Sequence, residues 1–346
     1  MRWLRRALLA LVVIGAGVSV AAWAVYDRLH QPYRGFTEAE LFIDVPPGSG
    51  AVAIGGRLAD AGVVRDPLTF RLALWYTGRA RDLQAGEYRF DRAATPLEVV
   101  ERIARGDVYK RLLTFREGLV IGEMAQVFEE RGFGPAADFE RAAANAALIH
   151  DLDPDAPDLE GYLFPETYAL PRGTSADEVV RQMVGLFKRL YGEDLRAEAA
   201  RAGLTTREVV TLASLVEKET ARAEERPLVA AVYRNRLRIG MGMQADPTVI
   251  YALQKAGRYD GNLTRADLQF DSPYNTYRYR GLPPGPIAAP GLAALEAVLR
   301  PAPVPHLYFV SRNDGSHVFA DTLAEHNRNV QEWQVRYFRE RRQRSR

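Results

Sequence analysis

The stretch LTTREVVTLASLVEKET, from Leu204 to Thr220, predicts the helix on which the organisation of the rest of the chain depends. Thr205 followed by Glu208 is a capping box, which marks the beginning of a helix. Apolar residues then recur at the spacing of a helix that buries one face. The members of this apolar stripe are Val209, Leu212, Ala213 and Val216. We therefore expect a helix that packs in the core of its domain and ends near Thr220.

Two glutamates close this predicted helix, and they fall at different angles from the apolar stripe. Glu219 lies roughly 60° from the centre of the stripe, between Leu212 and Leu215. Glu217 lies roughly 100° away, at the edge of the stripe. A carboxylate on the apolar side is desolvated, which raises its pKa and suits it to general acid catalysis. The alternative is a charged helix end that frays into solvent.

The composition of the 346-residue chain bounds the classes of protein to which it can belong. Its length allows two domains. The formal net charge of +2 and the scattered basic residues give no nucleic-acid footprint, so no nucleic acid is expected as a partner. The chain has no cysteine, which excludes disulfides, thiolate metal sites and cysteine nucleophiles. Its five histidines are widely spaced, and we expect neither a metal nor a cofactor.

The N-terminus carries a candidate membrane segment. Residues 1–6 are basic and residues 7–26 are uncharged, long enough to cross a bilayer as one helix. The positive-inside rule keeps the basic end in the cytoplasm and exports everything that follows. We expect a single-pass membrane protein whose working part lies outside the cytoplasm. The alternative is a cleaved signal peptide with Ala22 to Ala24 at its cleavage site.

The patterns in the exported chain predict an α+β protein with two folded parts. Residues 27–40 look like a polar linker, and residues 41–111 like a small α/β module of short strands and helices. Residues 112–340 form a larger mixed α/β domain, and residues 341–346 a basic tail.

Two stretches outside the central helix have the composition of a binding groove. LEGYLFPETYAL, residues 159–170, sets aromatic rings beside carboxylates such as Glu166, which suits stacking on sugars. DSPYNTYRYRGLPPGPI, residues 271–287, carries Asn275 and Tyr277 on a proline-braced loop. The alternatives are a turn that packs its aromatics into the core and an ordinary structured loop.

Several long motifs in one order resemble the MltG/YceG family, the endolytic murein transglycosylases. The matching stretches are LEGYLFPETY (residues 159–168), ASLVEKET (213–220), NRLRIGMGMQADPTVIY (235–251), YNTYRYRGLPPGPIAAPG (274–291), LYFV (307–310) and the pair His326–Asn327. With the N-terminal segment and the small module, the resemblance covers nearly the whole chain.

The resemblance implies a membrane-anchored enzyme that cuts nascent peptidoglycan strands internally and carries a LysM-like module in its N-terminal exported part. It favours Glu219 over Glu217 as the catalytic residue, since lytic transglycosylases carry one glutamate that is usually followed by a small hydroxyl residue. It implies cleavage of the β-1,4 bond between N-acetylmuramic acid and N-acetylglucosamine, with 1,6-anhydro ends. As polar members of the matching motifs, Gln244, Asn275 and Tyr277 are expected to line the sugar groove, with Glu166 in support.

Two other functions stay open at this stage. One is a lysozyme-like hydrolase that pairs Glu219 with a second carboxylate, Asp246 or Glu166. The other is a non-catalytic, membrane-tethered scaffold that binds glycan strands and recruits peptidoglycan synthases. The expected partners are therefore peptidoglycan glycan strands, peptidoglycan synthases and, through the N-terminal helix, the membrane.

Overall fold

The structure, a computed structural model, describes residues 2–344 and divides into two compact units. The first unit comprises residues 1–112 and 169–173, and the second comprises residues 113–168 and 174–346. Met1, Ser345 and Arg346 lie outside the described residues, so the predicted tail at 341–346 is described only as far as Arg344. Mostly helical units with small two-stranded sheets confirm the α+β class.

The first unit begins with the long apolar helix and continues as a strand–helix–helix–strand arrangement. Its elements are α1 (Arg2–His30), β1 (Leu41–Val45), α2 (Ala51–Asp60), α3 (Pro67–Thr77), β2 (Gly86–Phe90) and α4 (Pro96–Arg105). β1 and β2 pair antiparallel, with Leu41 opposite Phe90 and Val45 opposite Gly86. The helices cover one side of this ribbon, and Phe70 and Tyr88 are fully buried between them.

Helix α1 contains the segment that the sequence predicts to cross a membrane. Residues Leu8–His30 are long and apolar enough for a membrane span or a signal sequence. From Leu8 to Tyr26 the side chains of this helix are exposed, whereas Leu29 in its last turn is buried in the first unit. Within the segment 27–40, Leu29 and Phe36 are buried in the core of the first unit.

The second unit is built from helices with two short two-stranded sheets. Its elements are β3 (Lys110–Thr114), α5 (Ile121–Glu130), α6 (Ala136–Ala143), β4 (Thr167–Pro171), α7 (Ala176–Leu190), α8 (Glu193–Arg201), α9 (Thr206–Glu219), α10 (Arg226–Arg238), α11 (Asp246–Lys255), α12 (Leu292–Leu299), β5 (Tyr308–Ser311), β6 (His317–Ala320), α13 (Leu323–Val330) and α14 (Tyr337–Arg344). β3 pairs with β4, and the division between the units falls within both strands. A π-helical segment, Gln331–Arg336, joins α13 to α14.

Helix α9 is the predicted central helix, and the structure confirms both of its ends. The Thr205 hydroxyl accepts the Glu208 amide, and the Glu208 carboxylate accepts the Thr205 amide. All residues from Val209 to Val216 are buried, because α8, α10, α11 and α12 pack around the helix. The proline-braced loop also docks here, where the Ile287 amide donates to Ser214 Oγ at 3.0 Å. The burial therefore extends well beyond the one-sided stripe that the spacing predicts.

The hairpin of β5 and β6 turns at Asn313 and Gly315. Both residues have positive φ, +66° and +81°, which asparagine and glycine tolerate best. Arg222, which follows α9, donates from Nε to the Gly315 carbonyl and from Nη2 to the Asp314 carbonyl. These bonds fix the hairpin beside the end of the central helix.

Candidate active site

The last residue of α9 faces an open cavity of about 400 Å³. This residue is Glu219, and the next residue, Thr220, leaves the helix in an extended conformation. Glu219 Oε1 accepts a hydrogen bond of 2.8 Å from the hydroxyl of Tyr233 on α10. The residues that line this cavity, called the Glu219 cavity below, are Glu219, Arg236, Gln244, Asp246, Tyr277, Tyr308, Phe309, Leu323, His326 and Asn327.

Burial raises the pKa of Glu219, the direction that its place on the helix predicts. The negative charge of Asp246 raises it further. The hydrogen bond from Tyr233 and the electrostatic effects of His317 and Arg236 act in the opposite direction. The net effect is a raised pKa, so the Glu219 carboxyl group keeps its proton to a higher pH than an ordinary glutamate does, as a general acid requires.

A second carboxylate, Asp246, shares the cavity with Glu219. It is the first residue of α11, and its Oδ1 accepts a bond of 2.6 Å from the Tyr277 hydroxyl. Gln244 lines the same wall with a φ of +47°, a left-handed conformation that is strained for a residue with a Cβ. The sequence-predicted residues Gln244 and Tyr277 thus lie in one cavity with Glu219.

Asn275 lies behind the cavity wall. It is fully buried, and its side-chain amide donates to the Leu268 and Phe270 carbonyls at 3.0 and 2.8 Å. Its Oδ1 accepts the amide of Tyr277 at 3.0 Å. Every polar atom of this side chain is therefore occupied by the loop, and its contact with the site runs through Tyr277.

Glu217 is held by structural bonds instead of facing the Glu219 cavity. Its Oε2 accepts the Gly291 amide at 3.0 Å, and its Oε1 lies 3.4 Å from Arg226 Nη2. Only 6% of its side chain is exposed, and burial raises its pKa as well. The two glutamates of the helix end are therefore distinguished by their partners, since desolvation raises both pKa values.

The aromatic stretch 159–170 supplies no residue to the Glu219 cavity. Tyr162 and Tyr168 are buried, as expected for the alternative of a turn that packs its rings into the core. Glu166 is exposed, and its Oε1 accepts the neighbouring Thr167 amide at 2.7 Å. Glu160 instead faces another cavity of about 480 Å³, called the Glu160 cavity below. This cavity is lined by Val120, Ile121, Gly122, Glu123, Gln126, Glu140, Ala144, Asp158, Glu160, Tyr251, Gln254 and Lys255.

One wall of the Glu219 cavity is cationic and aromatic, and none of its residues was predicted from the sequence to belong to the site. Arg236, Tyr308, Phe309 and His326 make this wall. Arg236, Tyr308 and Phe309 lie within the motifs quoted above, and His326 begins the last of them, so position in a motif was the available signal. Nothing local in the sequence indicates that α10, β5 and α13 meet at one place.

Glu225, which is buried, and His317, which is half-buried, form a further pair close to the catalytic candidate. Glu225 Oε2 accepts from His317 Nδ1 at 2.7 Å and from the Thr220 hydroxyl at 3.1 Å. Its Oε1 accepts the His317 amide at 2.8 Å. Glu225 therefore ties the hairpin strand β6 to the residue that follows Glu219.

A proton-retaining glutamate in a cavity with a second carboxylate, a tyrosine and an arginine is typical of enzymes that use general acid–base catalysis. The profile of the YceG-like family matches residues 43–332, and the chain belongs to that family. This membership confirms the resemblance drawn from the motifs.

Named relatives agree with the family assignment. The endolytic murein transglycosylase of Bacillus subtilis (strain 168) is 31% identical over 316 residues, covering 87% of this chain and 86% of that protein. The protein of the same name from Streptococcus pneumoniae (strain ATCC BAA-255 / R6) is 29% identical over 364 residues and covers 94% of this chain. The chain spans 64% of the length of that streptococcal relative.

A solved structure shows the same fold. The crystal structure of a yceG-like protein from Listeria monocytogenes superposes with a TM-score of 0.58 at 29% sequence identity. The match covers 84% of this chain and 99% of the solved one.

Proposed function

We propose that this chain is an endolytic murein transglycosylase that cleaves the β-1,4 bond between N-acetylmuramic acid and N-acetylglucosamine in nascent glycan strands. The observation that carries the proposal is Glu219, a desolvated carboxyl group that accepts a hydrogen bond from Tyr233 and lines a cavity of about 400 Å³. The names of the relatives from B. subtilis and S. pneumoniae support it.

In the proposed reaction, protonated Glu219 donates its proton to the glycosidic oxygen that leaves with N-acetylglucosamine. The bond between the anomeric carbon and this oxygen breaks, and the 6-hydroxyl of the same muramic acid attacks the anomeric carbon. Glu219 takes the proton of that hydroxyl and returns to its starting state. The products are a 1,6-anhydro-muramic acid end and a new N-acetylglucosamine end, and no water is consumed.

The surrounding residues receive supporting roles in this proposal. Gln244 and Tyr277 bind sugar hydroxyl or acetamido groups along the groove, and Asn275 positions Tyr277. Asp246 helps Glu219 to hold its proton through the charge that raises the Glu219 pKa. Glu166 is exposed outside the Glu219 cavity, where it contacts the part of a glycan strand that extends beyond the cavity.

Residues 7–26 anchor the protein in the cell inner membrane, with residues 112–340 as a periplasmic catalytic domain. Residues 41–111 are a LysM-like glycan-binding module, an assignment supported by the strand–helix–helix–strand order of β1, α2, α3 and β2. By ending strand elongation the enzyme works beside peptidoglycan synthases, its expected protein partners.

A hydrolase is the second candidate, because Asp246 shares the cavity with Glu219. A pair of carboxylates suffices for hydrolysis when one of them activates water. Mass spectrometry distinguishes the two reactions, since a hydrolytic product is heavier by one water than the anhydro product.

The experiment uses the full chain in detergent with nascent, uncrosslinked glycan strands. Wild-type protein and Glu217→Gln are expected to give anhydro ends, and Glu219→Gln is expected to give none. Reducing ends in place of anhydro ends would support the hydrolase. If cellular glycan length stays normal with Glu219→Gln, the chain acts as a scaffold and the proposal is wrong.

A further inference from the structure

Arg236 is a buried cation on the wall of the Glu219 cavity. The residue is 7% exposed, its Nε donates to the Leu307 carbonyl at 2.6 Å, and its Nη1 donates to the Met243 carbonyl. Within residues 2–344 no carboxylate forms an ion pair with it, and its Nη2 has no hydrogen-bond acceptor. One edge of this guanidinium is therefore left for whatever occupies the cavity.

The absence of an anionic partner distinguishes Arg236 from Arg226 and Arg207, two other withdrawn arginines of the same unit. Arg226 lies 3.4 Å from Glu217, and Arg207 donates to both oxygens of Asp153. Burying a charge is costly unless it is paired, and desolvation lowers the pKa of Arg236. A hydrogen-bond acceptor on a bound ligand would offset this free-energy cost.

The groups around Arg236 form an amphipathic platform. Its guanidinium carbon lies 5.6 Å from the centre of the Tyr308 ring, and that ring stacks on His326 at 5.1 Å. The Nδ1 atom of His326 is buried and has no hydrogen-bond partner in the described chain. Burial and the charge of Arg236 lower the His326 pKa, which favours a neutral ring. Asn327 adds a side-chain amide to the same wall.

We propose that Arg236, together with the Tyr308–His326 platform, binds the acyl oxygens of the lactyl ether on the muramic acid ring whose glycosidic bond faces Glu219. This inference rests on the proposed function. In a peptide-free strand the lactyl group ends in a carboxylate, and in a peptide-bearing strand it presents an amide carbonyl. Both accept hydrogen bonds from a guanidinium, and the carboxylate does so more strongly.

The lactyl group fits this wall better than the acetamido group does. Both sugars of the strand carry an acetamido group, whereas only muramic acid carries a lactyl group and only that group can be anionic. Its ether oxygen sits on the same ring as the anomeric carbon at which Glu219 acts. Arg236 is correspondingly close enough to Glu219 for its charge to affect the glutamate's ionisation. The contact would therefore distinguish muramic acid from N-acetylglucosamine beside the scissile bond.

The test measures binding by the full chain in detergent, in a Glu219→Gln background that prevents turnover. Three tetrasaccharides serve as probes: a peptide-free muramic acid-containing glycan, the same glycan with its lactyl carboxylates reduced to alcohols, and an N-acetylglucosamine oligomer. Arg236→Gln is expected to weaken binding of the first probe about 10- to 100-fold and to leave the other two unchanged. Arg236→Lys, which keeps a charge without the planar fork, is expected to recover part of the loss.

Arg234→Gln is the matched control. Arg234 lies on the same helix, α10, and its Nη1 donates to the Val298 carbonyl at 3.1 Å. It does not line the Glu219 cavity, so its loss should affect all three probes equally or not at all.

The outcomes separate the inference from the proposed function. Equal weakening of all three probes by Arg236→Gln would mean a structural or acetamido contact, and the inference would fail while anhydro products still supported the proposed function. If Arg236→Gln does not fold, the inference is tested with the protein that keeps Arg236. Its affinity for the carboxylate form of the muramic acid glycan is then compared with its affinity for the alcohol form. Equal affinity for the carboxylate and alcohol forms would overturn the inference. Absence of anhydro ends with the wild-type chain would refute the proposed function itself.

Discussion

The Glu219 cavity and the Glu160 cavity both place a desolvated glutamate beside a tyrosine hydroxyl. Tyr233 donates to Glu219 at 2.8 Å, and Tyr251 donates to Glu160 at 3.3 Å. Burial raises both pKa values, and that of Glu160 reaches about 8. A raised pKa and a nearby cavity are therefore not enough to identify a catalytic acid.

The two cavities differ in what else the glutamate contacts. Glu160 also accepts the Ile121 amide at the N-terminus of α5, with its oxygens 3.2 and 3.4 Å away, so it serves to anchor a helix. Glu219 has no such backbone bond in the described chain and shares its cavity with Arg236 and Asp246. General acid–base catalysis calls for a carboxyl group with free hydrogen-bonding capacity, and Glu219 retains more of that capacity than Glu160 does.

The largest expected difference between the cavities is in cleavage. Glu219→Gln should reduce formation of anhydro ends by about 10²- to 10⁴-fold, because the amide cannot give or take the proton. Glu160→Gln, an equally conservative change in the other cavity, should leave the rate per folded molecule within a few-fold of wild type. Product analysis by mass spectrometry measures both. A loss of cleavage with Glu160→Gln as large as with Glu219→Gln would erase the distinction.

A smaller effect is expected on stability, and it sharpens the contrast with Glu217. Glu217→Ala removes the acceptor of the Gly291 amide and the partner of Arg226, so the free energy of unfolding should fall by about 1–3 kcal/mol. Urea titration of the full chain in detergent measures this loss. The free energy of unfolding of Glu219→Gln should fall by much less, because the side-chain carbonyl oxygen of glutamine still accepts a hydrogen bond from Tyr233. Equal losses in the two variants would mean that both glutamates are structural.

Stability should also depend on pH through Glu160. Its folded-state pKa of about 8 exceeds the unfolded value of 4.5, so between these pH values the folded state binds more protons. Stability is therefore retained below about pH 4.5 and falls as pH rises toward 8, by at most about 1.4 kcal/mol per pH unit. Glu160→Gln should flatten this slope in urea titrations run at several pH values. An unchanged slope would contradict the raised pKa.

The smallest effect concerns the hydroxyl that holds Glu219. The bond from Tyr233 lowers the Glu219 pKa, so Tyr233→Phe should raise that pKa and shift the alkaline limb of the pH–rate profile upward. The maximum rate should change by less than about tenfold, since the carboxyl group remains. Tyr251→Phe in the Glu160 cavity is the matched control and should leave the profile in place. A downward shift with Tyr233→Phe would contradict the assignment of Glu219 as the acid.

Much of the local structure was readable from the sequence because it depends on short-range hydrogen bonds. Thr95 and Glu98 form the capping box of α4, and Gly106 closes that helix with a φ of +66°. Thr205 likewise starts α9, and Asn313 lies in the turn between β5 and β6. Each of these signals involves residues within a few positions of one another, so a linear pattern suffices to specify it.

What the sequence by itself determined is the central helix, the apolar N-terminal segment and Glu219 as the glutamate nearer the apolar stripe. Only the tertiary structure decided what surrounds that glutamate. Arg226 and Gly291 contact Glu217, although Gly291 lies 74 residues further along the chain. Arg236, Tyr308 and His326 likewise come from separate elements and meet at one wall of the cavity. Periodicity reports the direction of a side chain from its own helix. Its partners come from distant parts of the chain, and those partners decide whether a buried carboxyl group is an anchor or an acid.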